Sequence, residues 1–362
     1  MILTPKEGVD MVNNITDNLM SRAEQSRAEH CSIDLAKFIF AFCVVAIHTE
    51  PLIHMNTSIM TSLYDIFVGL AVPFFFIASG YLVTQNLNSL NQDVLVRRVK
   101  KHLTKLVQFY LIWSIIYVPL AVYGYYLEGD GILKAAVLYI RNLIFQGEHY
   151  YSWPLWYLLS SIYAFVVLYT LLKKKAGTVI IGTTIVVFVV MAWGTNVLVY
   201  DIDYASGAIS MIGKLLQKTV GKGRMFSGTY YVLFGVLVAK YKEWINKISA
   251  AGWIVVFGIL FFITFFTNVP FINILMNAAL FIVVEEISWD CTYGAYLRRS
   301  STVIYYVHML IFFVYTILVG MDSRYGVAGF VITSVCAMLV AVLLNSRKLK
   351  NTKMAIKLFG KM

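Results

Sequence analysis

Charge is scarce in this chain. Of its 362 residues only 14% are Asp, Glu, Lys or Arg, against 59% hydrophobic, and mean hydropathy is +0.73. Soluble domains carry about a quarter charged residues, so the soluble two-domain protein that the length alone allows is excluded. Cysteine is also sparse: Cys31, Cys43, Cys291 and Cys336 are scattered, with no CxxC and no metal-ligand spacing. No HExxH occurs, and Gly221-Lys222-Gly223 lacks the spacing and following Ser or Thr of a phosphate loop. The first 31 residues contain Arg22, Glu24, Arg27 and Glu29 and no apolar run, so a cleavable signal peptide is not expected. Repeats and low-complexity tracts are absent as well.

The apolar residues are gathered into continuous runs, long enough to cross about 30 Å of hydrocarbon as helices. They do not alternate, which argues against a membrane β-barrel. Ten candidate spans follow, at 33–51, 61–83, 106–126, 154–172, 177–199, 225–241, 250–267, 271–288, 301–319 and 327–345. The expected fold is therefore an all-α, polytopic membrane helix bundle.

The net charge of +11 is not read as a nucleic-acid signal, because the basic residues sit in short runs between spans. With the N-terminus inside, the alternation leaves 23 of the 30 Lys and Arg on the cytoplasmic side and 7 outside, as the positive-inside rule requires. An even number of spans places the C-terminus inside too. The chain then divides into a polar cytoplasmic segment (1–31), the ten-helix domain (32–345) and a basic cytoplasmic tail (346–362). The cysteines fall in spans or on the cytoplasmic side, where a disulfide is not expected. Of the external segments, 127–153 carries apolar residues at helical spacing, as an interfacial or re-entrant helix would. Residues 200–224 could cover an outer mouth.

The first span carries the chemistry. Lys37 and His48 are eleven residues apart, about 20° past three full helical turns, so they share a face with an axial separation of about 16 Å. Ionisable groups inside a bilayer usually face a bundle interior or a wet cavity. The alternative is that Lys37 snorkels to headgroups and His48 marks the boundary; the shared face favours a functional pair. Glu50 is a candidate orienting carboxylate for His48 only if the helix unwinds before Pro51. Tyr305 and His308 share a face at i,i+3. Glu285 and Glu286 are expected to pair with Arg298 or Arg299, and Tyr81 to anchor at the interface. Gly80 allows close helix approach. Trp153, Trp156 and Tyr157 read as an aromatic belt or as platforms for sugar rings, with Arg224 nearby as a contact for an anionic group.

The run Asp34-Leu35-Ala36-Lys37 through His48 resembles the first-helix motif of the membrane acyltransferase-3 family, a basic residue, ten residues, then histidine. Val72 to Leu82 (VPFFFIASGYL) is similar to that family's second-helix signature, and Arg97, Arg98 and Lys101 resemble its basic loop before the third helix. Trp156-Tyr157-Leu158 and Ser301 to His308 resemble its mid-chain and late motifs. The family usually has Arg where Lys37 stands, and a Lys point charge cannot supply the planar fork of a guanidinium. The chain also resembles the membrane domain of certain amino-acid racemases, for which transport has been proposed.

The resemblance implies transfer of an acyl group, commonly from acetyl-CoA or another acyl-CoA, to a hydroxyl of an extracytoplasmic carbohydrate or cell-envelope glycan. It implies a multi-pass protein of a bacterial plasma membrane, surrounded by lipid. His48 would act as general base, Lys37 would stabilise donor or developing charge, and Arg97, Arg98 and Lys101 would hold the donor's phosphates. No metal is expected. The rival class is a transporter or flippase for a small polar solute, such as an amino acid, or for a glycan, with the same intramembrane Lys and His serving passage.

Overall fold

The computed structural model describes residues 31–359 except 56–57, 89–90, 201–206, 222, 268, 288, 290, 347 and 350. The N-terminal segment up to residue 30, Lys222, Arg347, Lys350 and residues 360–362 of the basic tail therefore lie outside the described residues. Every element of regular structure among the described residues is helical.

The first helix, α1 (Cys31–Thr49), has Asp34 in its first turn and no Gly or Pro. It stops because Pro51 disfavours the α conformation at the residue before it. Glu50 turns into the left-handed region at φ 44° while its N–H still reaches Ala46 O. The next apolar run forms α2 (Ser58–Gly69) and α3 (Ala71–Thr84), broken at Leu70. Pro73 explains the break: it has no N–H to return to the Gly69 carbonyl.

A long helix, α4 (Gln92–Ile116), and α5 (Val118–Leu127) are bent by 48° at Tyr117, where Pro119 removes another ladder bond. Here the expected basic loop is corrected. Arg97, Arg98 and Lys101 lie within the first turns of α4, because Asn91 caps the helix through a hydrogen bond from Asp93 N and nothing interrupts it before Tyr117.

The segment 127–153, expected to hold an interfacial or re-entrant helix, contains α6 (Ile132–Phe145), with no buried residue. Then come α7 (Leu155–Lys173), α8 (Thr178–Tyr200), α9 (Gly207–Thr219), α10 (Arg224–Lys240) and the short α11 (Lys242–Ile245). The chain closes with α12 (Ala250–Thr267), α13 (Pro270–Glu286), α14 (Gly294–Val319), α15 (Val327–Asn345) and α16 (Lys353–Phe359). Among the described residues, seven helical units are long and apolar enough to cross a membrane, and the bent α4–α5 pair makes an eighth if it is one span. The helices α10 and α13 are slightly shorter, at 17 residues each.

Two packing centres position the site. One is α1 against α14, with α3 and α15 beside it; the other is α10 against α3, α7 and α8. The second depends on glycine. A Cβ at Gly80 would run into the backbone carbonyl of Val232, and one at Gly235 into that of Ile77. The two backbones are therefore in direct contact, as small residues permit between membrane helices.

Three expectations about polar groups are overturned. Glu285 does not pair with Arg298 or Arg299; it accepts the Tyr81 hydroxyl at 2.6 Å and faces Lys242 Nζ at 2.7 Å. Tyr81 is accordingly a fully buried donor rather than an interfacial anchor. Cys31 and Cys291 are joined as a disulfide, Cα atoms 6.0 Å apart, while Cys43 and Cys336 are free. The common cause is long-range packing: α1, α14 and the segment entering α14 converge at one end of the bundle, a proximity that residue spacing along the chain does not carry.

Candidate active site: two cavities on one helix

Lys37 and His48 both turn inward from α1, each lining a cavity rather than facing the acyl chains. His48 lines a cavity of about 480 Å³ toward the Glu50 end of the helix, with Trp153, Trp156, Tyr157, Arg224 and Tyr305 in its wall. Lys37 lines a smaller one of about 170 Å³ toward the Asp34 end, with Ser79, Arg298, Thr302, Tyr157 and Tyr305.

The His48 imidazole is held in an aromatic stack. Trp153 lies on one side with ring centroids 5.6 Å apart, and His308 lies 5.5 Å away at 25°. His308 is fully buried; its Nδ1 is 3.0 Å from Ile304 O, which only an N–H can approach favourably, so Nδ1 carries the proton and the unpartnered Nε2 carries the lone pair. Among the described residues His48 itself has no hydrogen-bond partner, so a substrate group is free to take that place. Glu50 is in the same cavity wall, but it forms no bond to His48. Glu50 follows α1 in a left-handed turn at φ 44° and is exposed, so the expected orienting bond to His48 is absent and Glu50 stands in the cavity wall instead.

In that wall Arg224 pairs with Glu148 at 3.6 Å and lies over the Trp156 ring, 5.5 Å from its centroid. Tyr305 donates its hydroxyl to the Pro154 carbonyl, at the entry to α7.

At the other end Asp34, almost wholly buried, receives three contacts from Arg298, at 2.7 to 3.1 Å. This fork-to-carboxylate pair ties α1 to α14 directly below Lys37. Lys37 makes no hydrogen bond or ion pair among the described residues and is left as a cation beside the cavity. The Arg97, Arg98 and Lys101 cluster is not brought to it. All three are exposed on α4, Arg98 donates to Gln85 O at 3.0 Å, and none lines either cavity.

Residue spacing missed several members. His102, on the inward side of α4, packs 4.5 Å from Phe165 with the rings tilted by 54°, its Nε2 buried and unpartnered among the described residues, and is within electrostatic reach of Lys37. Its signal was present in the sequence, a lone histidine in a basic helix one position after Lys101. Asp34 had a signal also, one turn before Lys37 on the same helix.

The two cavities on one amphiphilic helix fit the motif resemblance, and comparison with known proteins agrees. Residues 32–346 match the family model described as "Acyltransferase domain", of the acyltransferase-3 type, and the chain belongs to that family. A protein named amino-acid racemase from Enterococcus faecalis is 26% identical over 351 residues, covering 90% of this chain and 47% of the relative. A second of that name and organism is 33% identical over 145 residues, 40% of this chain and 19% of the relative. A serine/alanine racemase of Enterococcus gallinarum is 35% identical over 123 residues, 33% and 17% of the two chains. The chain thus spans about half the length, or less, of these relatives. No solved structure matches it.

Proposed function

We propose that the protein is an O-acyltransferase of the plasma membrane, with ten membrane-crossing helical units and both chain ends in the cytoplasm. In this reading an acyl-CoA, acetyl-CoA in the first instance, enters from the cytoplasmic side. The acceptor is a hydroxyl of an extracytoplasmic carbohydrate or cell-envelope glycan. Family membership supports the reaction class. The observation that carries the rest is the placement of His48 and Lys37 in separate cavities that meet at Tyr157 and Tyr305.

The chemistry then divides between the cavities. The acceptor sugar lies against Trp153 and Trp156, with Arg224 at the rim for an anionic substituent. His48 takes the hydroxyl proton as the oxygen attacks the thioester carbonyl; the new C–O bond forms, the C–S bond breaks, and the thiolate leaves with the proton returned from His48. His308 holds the plane of the His48 ring. Lys37 offsets negative charge on the donor side, and Arg97 and Lys101, one turn apart on α4 and away from both cavities, would take the donor's phosphates at the cytoplasmic surface.

The test is acyl-CoA-dependent labelling of a glycan acceptor by purified protein in proteoliposomes. His48→Ala should lower transfer by about 10²- to 10⁴-fold, the range for loss of a general base, with donor binding retained. Undiminished transfer by that variant would sink the assignment.

One observation favours a second reading. Arg224 and Glu148 present opposite charges 3.6 Å apart at the mouth of the His48 cavity, an arrangement that matches the carboxylate and ammonium of an amino acid, the substrate class in the relatives' names. Uptake of a labelled amino acid by the same proteoliposomes without acyl-CoA would favour transport.

A further inference from the structure

The His48 and Lys37 cavities share two wall residues, Tyr157 and Tyr305. Their rings meet edge to face, centroids 5.7 Å apart, and Phe75 closes the group at 6.1 Å from Tyr157 and 6.3 Å from Tyr305. One layer of aromatic side chains therefore lies between two cavities, each lined by an ionisable side chain of α1, toward opposite ends of that helix. Joined, those cavities would form a continuous wet path through the membrane, and apolar constrictions of this kind block such paths by excluding water.

The two tyrosines are held unequally. Tyr305 is buried, and its hydroxyl donates to the Pro154 carbonyl, the same oxygen that accepts the Tyr157 backbone N–H at 3.2 Å. Tyr157 is half-buried, and its hydroxyl has a 3.4 Å contact with Ser79 Oγ. The Ser79 proton is already directed to Phe75 O at 2.8 Å, so the Tyr157 phenol must act as donor in that long contact. Turning the Tyr157 ring gives up side-chain contacts alone, the long one to Ser79, the neighbouring Ser161 hydroxyl and ring packing on Phe76 at 4.5 Å; turning Tyr305 breaks a short hydrogen bond to fixed backbone.

We propose that Tyr157 is the moving leaf of a gate whose fixed post is Tyr305, and that opening it joins the two cavities by a slot for a slender substrate arm. That the arm is an acyl thioester rests on the acyl-transfer reading. The gate itself does not.

The experiment needs neither donor nor acceptor. Cys43 and Cys336, the free thiols, are replaced by Ala, and Thr302→Cys places a reporter in the wall of the Lys37 cavity. A membrane-impermeant maleimide is applied to oriented proteoliposomes from each face in turn. With Tyr157 in place the reporter should react from the Lys37 face and remain at background from the His48 face. Tyr157→Ala should raise labelling from the His48 face to the rate seen from the other, and Tyr157→Phe, which keeps the ring but loses the Ser79 contact, should raise it to an intermediate rate. Unchanged labelling from the Lys37 face shows that the variants are folded.

Equal labelling from both faces before any Tyr157 change would overturn the gate. So would background labelling from the His48 face in Tyr157→Ala, or no labelling from the Lys37 face at all. Because no acyl-CoA is present, the gate can fail while acyl transfer stands, and the reverse.

Discussion

The imidazoles of His48 and His308 lie nearly parallel, 5.5 Å apart and inclined by 25°, and Trp153 also stacks on His48, at 5.6 Å. His48 is at the end of α1 and His308 in the middle of α14, so the stack joins the helix that carries the candidate base to its main packing partner. A ring stacked on two aromatic neighbours keeps its plane without a hydrogen bond, leaving both of its nitrogens for substrate.

That relationship makes His308 a positioning residue, and its role can be separated from proton transfer. An aromatic pair contributes about 0.5–1.5 kcal/mol beyond its burial. His308→Ala should therefore lower kcat by roughly two- to tenfold with little change in KM, and His308→Phe, which keeps a flat ring, should recover most of the loss. A merely structural role would lower folded yield equally in both variants and leave kcat of the folded fraction unchanged. If His308→Phe is as slow as His308→Ala, the ring plane is not what His308 supplies.

The Asp34–Arg298 pair should matter for stability rather than chemistry. Its carboxylate is almost wholly buried and its guanidinium is about 38% exposed, so the cost of breaking it lies below that of a fully buried pair, at about 2–3 kcal/mol. Asp34→Ala should lower the thermal unfolding midpoint in detergent, because Arg298 keeps its charge and loses its partner. Replacing both, as Asp34→Leu with Arg298→Met, should restore much of the midpoint. A double variant no more stable than Asp34→Ala would show that the pair is not the cause.

What was legible in the sequence follows the range of the physical rule involved. Helix positions were readable because long continuous apolar runs favour helices, and helices occur at all ten expected places, seven or eight of them long and apolar enough to cross a membrane. The inward face shared by Lys37 and His48 was readable because helical periodicity is local. The partners of those residues were not, since His308 on His48, Arg298 on Asp34 and Lys242 on Glu285 are contacts between distant helices. Arg97, Arg98 and Lys101 misled for a different reason: charge density was read as loop, whereas an Asn91 cap and the lack of a breaker before Tyr117 make those residues helical. Glu50 was decided by one backbone angle that only Pro51 hinted at.

Outside the spans, His149 gives the fold a pH dependence. It lies in the segment between α6 and α7, its ring stacked 4.1 Å from Tyr139 and its Nδ1 3.2 Å from the Tyr125 hydroxyl, so it fastens α6 to α5. Burial, aided by the Arg141 charge, lowers its pKa from 6.5 to about 4. Above pH 6.5 neither folded nor unfolded chain protonates this ring, and it adds no pH dependence. Between about 6.5 and 4 the unfolded chain binds the proton and the folded one does not, so stability falls as pH is lowered through that window. Unfolding midpoints measured at pH 7.5 and pH 5 should therefore differ more for the native chain than for His149→Phe, which keeps the stack on Tyr139 without the titrating nitrogen. Equal differences in the two proteins would mean that the acid sensitivity comes from elsewhere.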